Sequence, residues 1–131
     1  MRGSQQDVAT PIDIGCNQAT RGSLDVDVRW LGAMALVQPW GELDLASAAL
    51  LRDSLEEIGT PQSLVLDMRG LSFMDSTGLH LLAELHERAT REGFELRLIA
   101  PPAPTDTPIR LCGLDQHLPF VADLPVDGIV A

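Results

Sequence analysis

The sequence predicts an α/β domain: a mixed β-sheet of four to five strands, opened by an N-terminal antiparallel hairpin, with helices packed on it. Three observations lead there. Leu24, Val26, Val28 and Trp30 alternate strictly with Asp25, Asp27 and Arg29, the period of a half-buried strand. Leu64-Val65-Leu66 is an unbroken apolar run between Ser63 and Asp67, which suits a strand covered on both faces. From Ser76 onward the period becomes that of a helix, and strand–helix alternation after a hairpin is the pattern of an α/β domain.

Residues 1–22 (MRGSQQDVATPIDIGCNQATRG) are polar and aperiodic, too poor in apolar surface to offset the entropy of ordering. They predict a mobile tail ahead of a single domain over 23–131, with Ile12-Asp13-Ile14 the one strand-like feature. Gly32 marks a turn after the first strand, and Met34-Ala35-Leu36-Val37 reads as its antiparallel partner, ended by Gly41. Asp44 is a suitable N-cap for a helix from Leu45 to Ile58, stopped by Gly59 and Pro61. In the next helix Leu79, Leu82, Leu85 and Ala89 share a broad apolar face. His80, Glu84, Glu87, Arg88 and Arg91 lie on the wet one, and Glu84–Arg88 and Glu87–Arg91 have the favourable four-residue spacing. Gly93 closes that helix. Phe94, Leu96 and Leu98 then alternate with Glu95 and Arg97 as a fourth strand. The proline-rich 101–104 loop is followed by a brief helix with Thr107 as N-cap, Pro108 at its first position and Gly113 as its stop. A last short strand is expected at Phe120-Val121.

Charge narrows the function classes. Nineteen acids against nine bases give a formal net charge of −10 over 131 residues, a surface that repels nucleic acid and anionic membranes. Every base is an arginine. The absence of lysine excludes Schiff-base chemistry and the phosphate-cradling Lys of a P-loop. No apolar run has the length of a membrane span and the N-terminus lacks a signal-peptide layout, so a cytoplasmic protein is expected. Cys16 and Cys112 form no disulfide framework or metal knuckle.

Catalysis fares poorly on the same reading. His80 and Glu84 stand four apart but lack a third ligand, so no metal site and no cofactor are expected. An aspartic-protease dyad needs two Asp-Thr/Ser-Gly copies, whereas Asp75 is followed by both Ser76 and Thr77 before Gly78. Ser76 has neither a histidine base nor a nucleophile elbow around it. Asp67 at a strand end resembles the acceptor of a receiver domain, but the acidic pair after the first strand and the lysine are missing. It reads more simply as a carboxylate that hydrogen-bonds the following turn. No catalytic residue is assigned.

What remains is Met74-Asp75-Ser76-Thr77-Gly78, two hydroxyls and a carboxylate at a helix N-terminus, where unpaired N–H groups favour an anion. Local sequence alone is also satisfied by simple helix capping. Taken with Gly41-Glu42-Leu43-Asp44-Leu45-Ala46, Leu64-Val65-Leu66-Asp67-Met68, Phe73-Met74-Asp75-Ser76-Thr77-Gly78-Leu79 and Gly113-Leu114-Asp115 with Leu118-Pro119, the chain resembles the STAS domain of anti-sigma-factor antagonists from about Leu24 to Leu124.

The resemblance implies a non-enzymatic partner switch. Unphosphorylated, such an antagonist binds an anti-sigma factor serine kinase with a histidine-kinase-like ATPase fold and frees the sigma factor. Phosphorylation of the serine after the motif's aspartate ends binding, and a metal-dependent serine phosphatase restores it. Carried onto this sequence, the phosphoacceptor is Ser76, with Thr77 as the alternative. The expected partner surface comprises Asp75, Ser76, Thr77, Gly78, His80, Glu42 and Asp44. STAS domains also serve as regulatory subunits of ABC-type transporters and of stress-signalling complexes, and relatives of that kind often lack the acceptor hydroxyl. The chain departs from the pattern where Pro108 shortens one helix and where Pro125 and Gly128 leave little room for a terminal one.

Overall fold

The computed structural model describes residues 23–125. The expected tail over 1–22, with Ile12-Asp13-Ile14, lies outside them. The chain enters directly into the predicted hairpin. Strand β1 (Leu24–Leu31) pairs antiparallel with β2 (Met34–Leu43) in register Leu24↔Gly41 to Leu31↔Met34, through a turn with Gly32 at φ 65°. Then follow α1 (Ala48–Ile58), β3 (Ser63–Asp67), β4 (Gly70–Met74), α2 (Ser76–Glu92), β5 (Glu95–Ile99), α3 (Thr107–Leu111), a single 3₁₀ turn at Leu114–Gln116 and β6 (Phe120–Val121).

The sheet has six strands, not the expected four to five. Along one edge β2 pairs with β1 over Met34–Gly41. Along the other it changes partner, pairing parallel with β3 over Met34–Val37 and with β4 over Trp40–Leu43. Beyond β3 lie β5 and then β6, both parallel. The unexpected strand is β4. Only Leu71 and Met74 of Gly-Leu-Ser-Phe-Met are buried, and a bulge shifts its register opposite Gly41/Glu42. An extra residue destroys the two-residue period by which a strand is recognised.

The same region makes β2 longer than Gly41 suggested. Gly41 continues the strand at φ 109°, where a Cβ would lie 2.5 Å from the Ser23 carbonyl oxygen. Pro39 falls where β2 leaves β3 and has not yet met β4, a position that suits a residue without an N–H. Helix α1 starts at Ala48 rather than Leu45. Asp44 closes a turn instead, its Oδ1 accepting from the Ser47 N–H at 3.0 Å, while the buried Ser47 hydroxyl donates to the Glu42 carbonyl at 2.6 Å. Asp44 therefore caps the turn that leads into α1. Further on, Asp106 rather than Thr107 is the residue preceding α3.

The helices cover one face of the sheet. Leu51 and Leu55 of α1, Leu81, Leu82, Leu85 and Ala89 of α2 and Ile109 of α3 pack on Ala35, Val37, Leu64, Leu66, Leu96 and Leu98. Alternate residues Met34, Leu36, Val65 and Ile99 form a smaller apolar strip on the other face, with Val121 and Leu124 against it. Both faces of Leu64-Val65-Leu66 are thus covered, as the apolar run predicts.

Helix α2 spans the expected residues, but its charges pair differently. Glu84 receives Arg52 of α1 at 3.2 Å. Arg88 leaves the wet face: it donates to the carbonyls of Leu55 and Gly59, lies 5.7 Å from the centroid of the Phe94 ring and pairs with Glu92. Arg91 also turns to Glu92, at 3.8 Å. Tertiary acceptors on α1 outweigh the few tenths of a kcal/mol that an exposed i,i+4 pair contributes.

Two glycines hold the sheet's upper end together. A Cβ on Gly78 would lie 2.8 Å from Met74 Cγ and 3.1 Å from Leu43 Cδ2. Overpacking costs about 1–3 kcal/mol and the gain in helix propensity returns about 1, so Gly78→Ala should lower stability by about 1 kcal/mol. Gly41→Ala, strained in φ and blocked by backbone, should cost about 2 kcal/mol or more. Urea unfolding of both variants measures this, and a stabilised Gly78→Ala would show that the contact yields.

Candidate functional site

The site is built where two strands end side by side and a helix begins. Leu43 of β2 is in register with Met74 of β4, and the Asp75 N–H donates to the Leu43 carbonyl at 3.3 Å. That bond fixes Asp75 in an extended conformation as the N-cap of α2, and its Oδ1 accepts from the Thr77 N–H at 2.9 Å. The Asp75 carbonyl takes the Gly78 N–H at 3.0 Å. Ser76, the first helical residue, is exposed, and neither its hydroxyl nor its N–H bonds to another described residue. Asp75 therefore supplies the capping, and the Ser76 oxygen is left over.

The other expected residues fall around this point with distinct roles. Thr77 is half-buried and its N–H is held by the cap. Gly78 is buried and lets α2 sit close on Leu43 and Met74. His80 is exposed one turn further along the helix. Glu42 lies opposite Phe73 in the β2–β4 register, and Asp44 opens the neighbouring turn. The two segments that meet here, 41–47 and 74–79, carry three carboxylates (Glu42, Asp44, Asp75) and no arginine.

Two apolar residues at the same end were not singled out from sequence. Leu45, on the turn beside Leu43, is 81% exposed and Phe73 of β4 is 45% exposed. Trp40, opposite Gly70 in the same β2–β4 pair, is 56% exposed. A leucine displayed in the middle of a turn is the available signal. It was concealed because Leu45 reads as the first residue of α1.

The other strand-end carboxylate is fully occupied. Asp67, only 5% exposed, accepts from the Arg69 N–H at 3.1 Å, from Arg69 Nε and Nη2 at 2.9 and 3.0 Å, and from Gln38 Nε2 at 3.0 Å. It closes the turn between β3 and β4, as the sequence suggests, and offers no free oxygen for group transfer. Burial works to raise its pKa, but the hydrogen bonds from Arg69 and Gln38 and the adjacent guanidinium outweigh burial and hold it below the ordinary 3.8. Among the described residues no three His, Cys, Asp or Glu side chains converge on a metal-sized site, and no helix is long and apolar enough to cross a membrane.

Comparison with known proteins agrees with this geometry. The family model of the STAS domain matches residues 26–125. The anti-sigma-F factor antagonist RsfB of Mycobacterium tuberculosis is 32% identical over 96 residues, covering 72% of this chain and 78% of that protein. The crystal structure of an anti-sigma factor antagonist from Mycobacterium paratuberculosis superposes with a TM-score of 0.74 at 26% identity, covering 85% of this chain and 97% of that one. The Bacillus protein SpoIIAA shares the fold in its unphosphorylated form (TM-score 0.66, 16% identity, 80% and 93% covered) and in its phosphorylated form (0.62, 17%, 80% and 96%).

The Asp67 cluster gives a pH signature. A carboxyl whose pKa is lower in the folded than in the unfolded state contributes its full stability above the unfolded value, about 4, and loses it as pH falls through the folded one. Asp67→Asn should therefore lie below wild type in Tm at neutral pH, by the equivalent of about 3 kcal/mol, and the two curves should converge below pH 4. Parallel curves down to pH 2 would show that the charge on Asp67 contributes nothing.

Proposed function

Because this chain belongs to the STAS domain family, we propose that it is an anti-sigma factor antagonist, acting in the cytoplasm by reversible protein binding and not by catalysis. Unphosphorylated, it binds an anti-sigma factor serine kinase of histidine-kinase-like ATPase fold. Phosphorylation on Ser76 releases that partner, and a metal-dependent serine phosphatase resets the switch. The observation that carries this reading is the Ser76 hydroxyl, exposed and without a hydrogen bond to any other described residue at the start of α2, while Asp75 caps the helix without it. Thr77 is half-buried and tied into the cap, which favours Ser76 as the acceptor.

A phosphate at Ser76 adds roughly −1.5 to −2 charges and three acceptor oxygens. On its own helix it meets the Ser76 N–H and the positive end of the dipole, so the domain has no reason to rearrange. A partner docked over the same point meets a different balance. It would cover the exposed Leu45 and Phe73, and in doing so would desolvate a dianion beside Glu42, Asp44 and Asp75. A penalty of about 3 kcal/mol there weakens binding by more than a hundredfold. The recurrence of the fold in the phosphorylated and unphosphorylated forms of SpoIIAA supports a switch without refolding.

Ser76→Ala should remain bound to the anti-sigma partner when ATP is present, whereas wild type is released. Ser76→Asp should bind more than about a hundredfold more weakly than wild type. Calorimetry with and without ATP reads both, and fragment mass spectrometry locates the phosphate. A label on Thr77, or Ser76→Ala released by ATP like wild type, would overturn the assignment.

A further inference from the structure

Strand β1 is the end strand of the sheet, and among the described residues its outer edge has no partner. Which backbone groups it offers there follows from its pairing with β2. Hydrogen-bonded and non-hydrogen-bonded pairs alternate along an antiparallel ladder. The Ser23 carbonyl accepts from the Glu42 N–H at 2.8 Å, and Val26 stands opposite Pro39, which has no N–H to exchange. Asp25, Asp27 and Arg29 therefore bond inward to β2, and Val26, Val28 and Trp30 turn their N–H and C=O groups outward. Sheet edges are commonly blunted by proline, lysine or a bulge. Strand β1 has none of these over its eight residues, and its register with β2 is unbroken. What it does carry is charge of both signs, Asp25, Asp27 and Arg29, on the face away from the helices, since Val26 and Val28 pack on the core. At the hairpin end Trp30 is exposed, lining a groove with Val28, Ser54, Glu57 and Ile58.

We propose that this edge pairs with the same edge of a second copy of the chain, β1 antiparallel to β1 about a two-fold axis at Val28. Charge selects that register. Centred on Asp27, the ladder sets two carboxylates directly opposite; centred on Arg29, two guanidiniums; centred on Val26, Asp25 against Asp27. Like charges directly opposite are destabilising. Centred on Val28, Asp27 of each copy meets Arg29 of the other, and Val26 meets Trp30, an aromatic–β-branched pair. The outward N–H and C=O groups of Val26, Val28 and Trp30 then all find partners. Asp27 and Arg29 already pair within one copy at 3.0 Å. The seam therefore gathers two carboxylates and two guanidiniums of alternating sign, a network and not an isolated pair. Each copy carries −10, but at physiological ionic strength the Debye length is about 8 Å, so distant charges are screened and touching pairs much less. The seam uses only β1 and no residue around Ser76, so it stands apart from the switch.

Sedimentation equilibrium and amide hydrogen exchange on the whole chain, at about 0.15 M salt, test this. The expected result is a monomer–dimer equilibrium. The N–H groups of Val26, Val28 and Trp30 should be protected in the dimer and exchange on dilution, while those of Asp25, Asp27 and Arg29 stay protected throughout. Arg29→Asp alone and Asp27→Arg alone each set like charges opposite at two points, and each should weaken dimerisation more than about tenfold. An equimolar mixture of the two variants should dimerise again, because each chain then meets the opposite charge on the other. A wild-type chain that stays monomeric at about 1 mM would overturn the proposal. So would a dimer that both reversals leave intact, or a mixture that remains monomeric. Protection of Val26, Val28 and Trp30 that persists on dilution to the monomer would give the edge to another segment of the same chain and overturn it equally.

Discussion

At Gly78 the backbone of α2 approaches Leu43 and Met74 so closely that a methyl group would have to displace one of them. Leu43 ends β2 and Met74 ends β4, so a single contact joins the helix to two strands whose own register is Leu43↔Met74. The Asp75 N–H to Leu43 carbonyl bond adds a second tie one residue before the helix. With those points fixed, the direction of α2 and the place of its first turn follow, and Ser76 is held facing solvent. Strand β4 exists to serve this junction. It is short and half-exposed, and its inward residues are Leu71 in the core and Met74 under Gly78.

The parts of this fold that were legible in the sequence are those governed by one period. Leu24–Trp30, Leu64–Leu66 and the helix after Ser76 each keep a single repeat over several residues, and each forms the expected element, although Trp30, read as part of the buried face, is 50% exposed at the hairpin end of its strand. What was hidden is where periods break. Gly41 and the bulge opposite it interrupt alternation in β2 and β4, and Gly41 read as an end when it is a continuation. Asp44 read as a helix cap because Ser47, whose buried hydroxyl holds the turn to the Glu42 carbonyl, could not be seen as a partner before folding. Arg88 read as a surface charge because its acceptors, the carbonyls of Leu55 and Gly59, lie about thirty residues away in sequence. The site followed the same division. Asp75, Ser76 and Thr77 were readable as a local motif. Leu45 and Phe73 were not, since their exposure depends on a late helix start and on an unrecognised strand.

Two carboxylates at strand ends illustrate how similar residues are given different work. Asp67 faces inward from β3 and is saturated by Arg69 and Gln38, so it organises the turn and nothing else. Asp75 uses one oxygen for the Thr77 N–H and stands at the solvent boundary. Arg69 also reaches Asp123, which links the β3–β4 turn to the segment after β6. A single arginine thus joins the turn before the strand that leads to the site with the residue next to Leu124, which packs on the sheet's other face.

The electrostatics of the Ser76 end then have a direction. A chain at −10 with no lysine sets a negative background, and the two segments around Ser76 carry carboxylates without a compensating arginine. The domain itself does not feel a further charge at that point strongly, because it lies in water and at the positive end of a helix. A partner seated over Leu45 and Phe73 would remove the water and retain the charge. Rigidity makes that contrast usable. If α2 could shift on its strands, the extra charge would be relieved by local movement and its effect on a partner diluted. With Gly78 close-packed on Leu43 and Met74, a charge added at Ser76 would have to be met by the incoming surface, and affinity would be the quantity left to change.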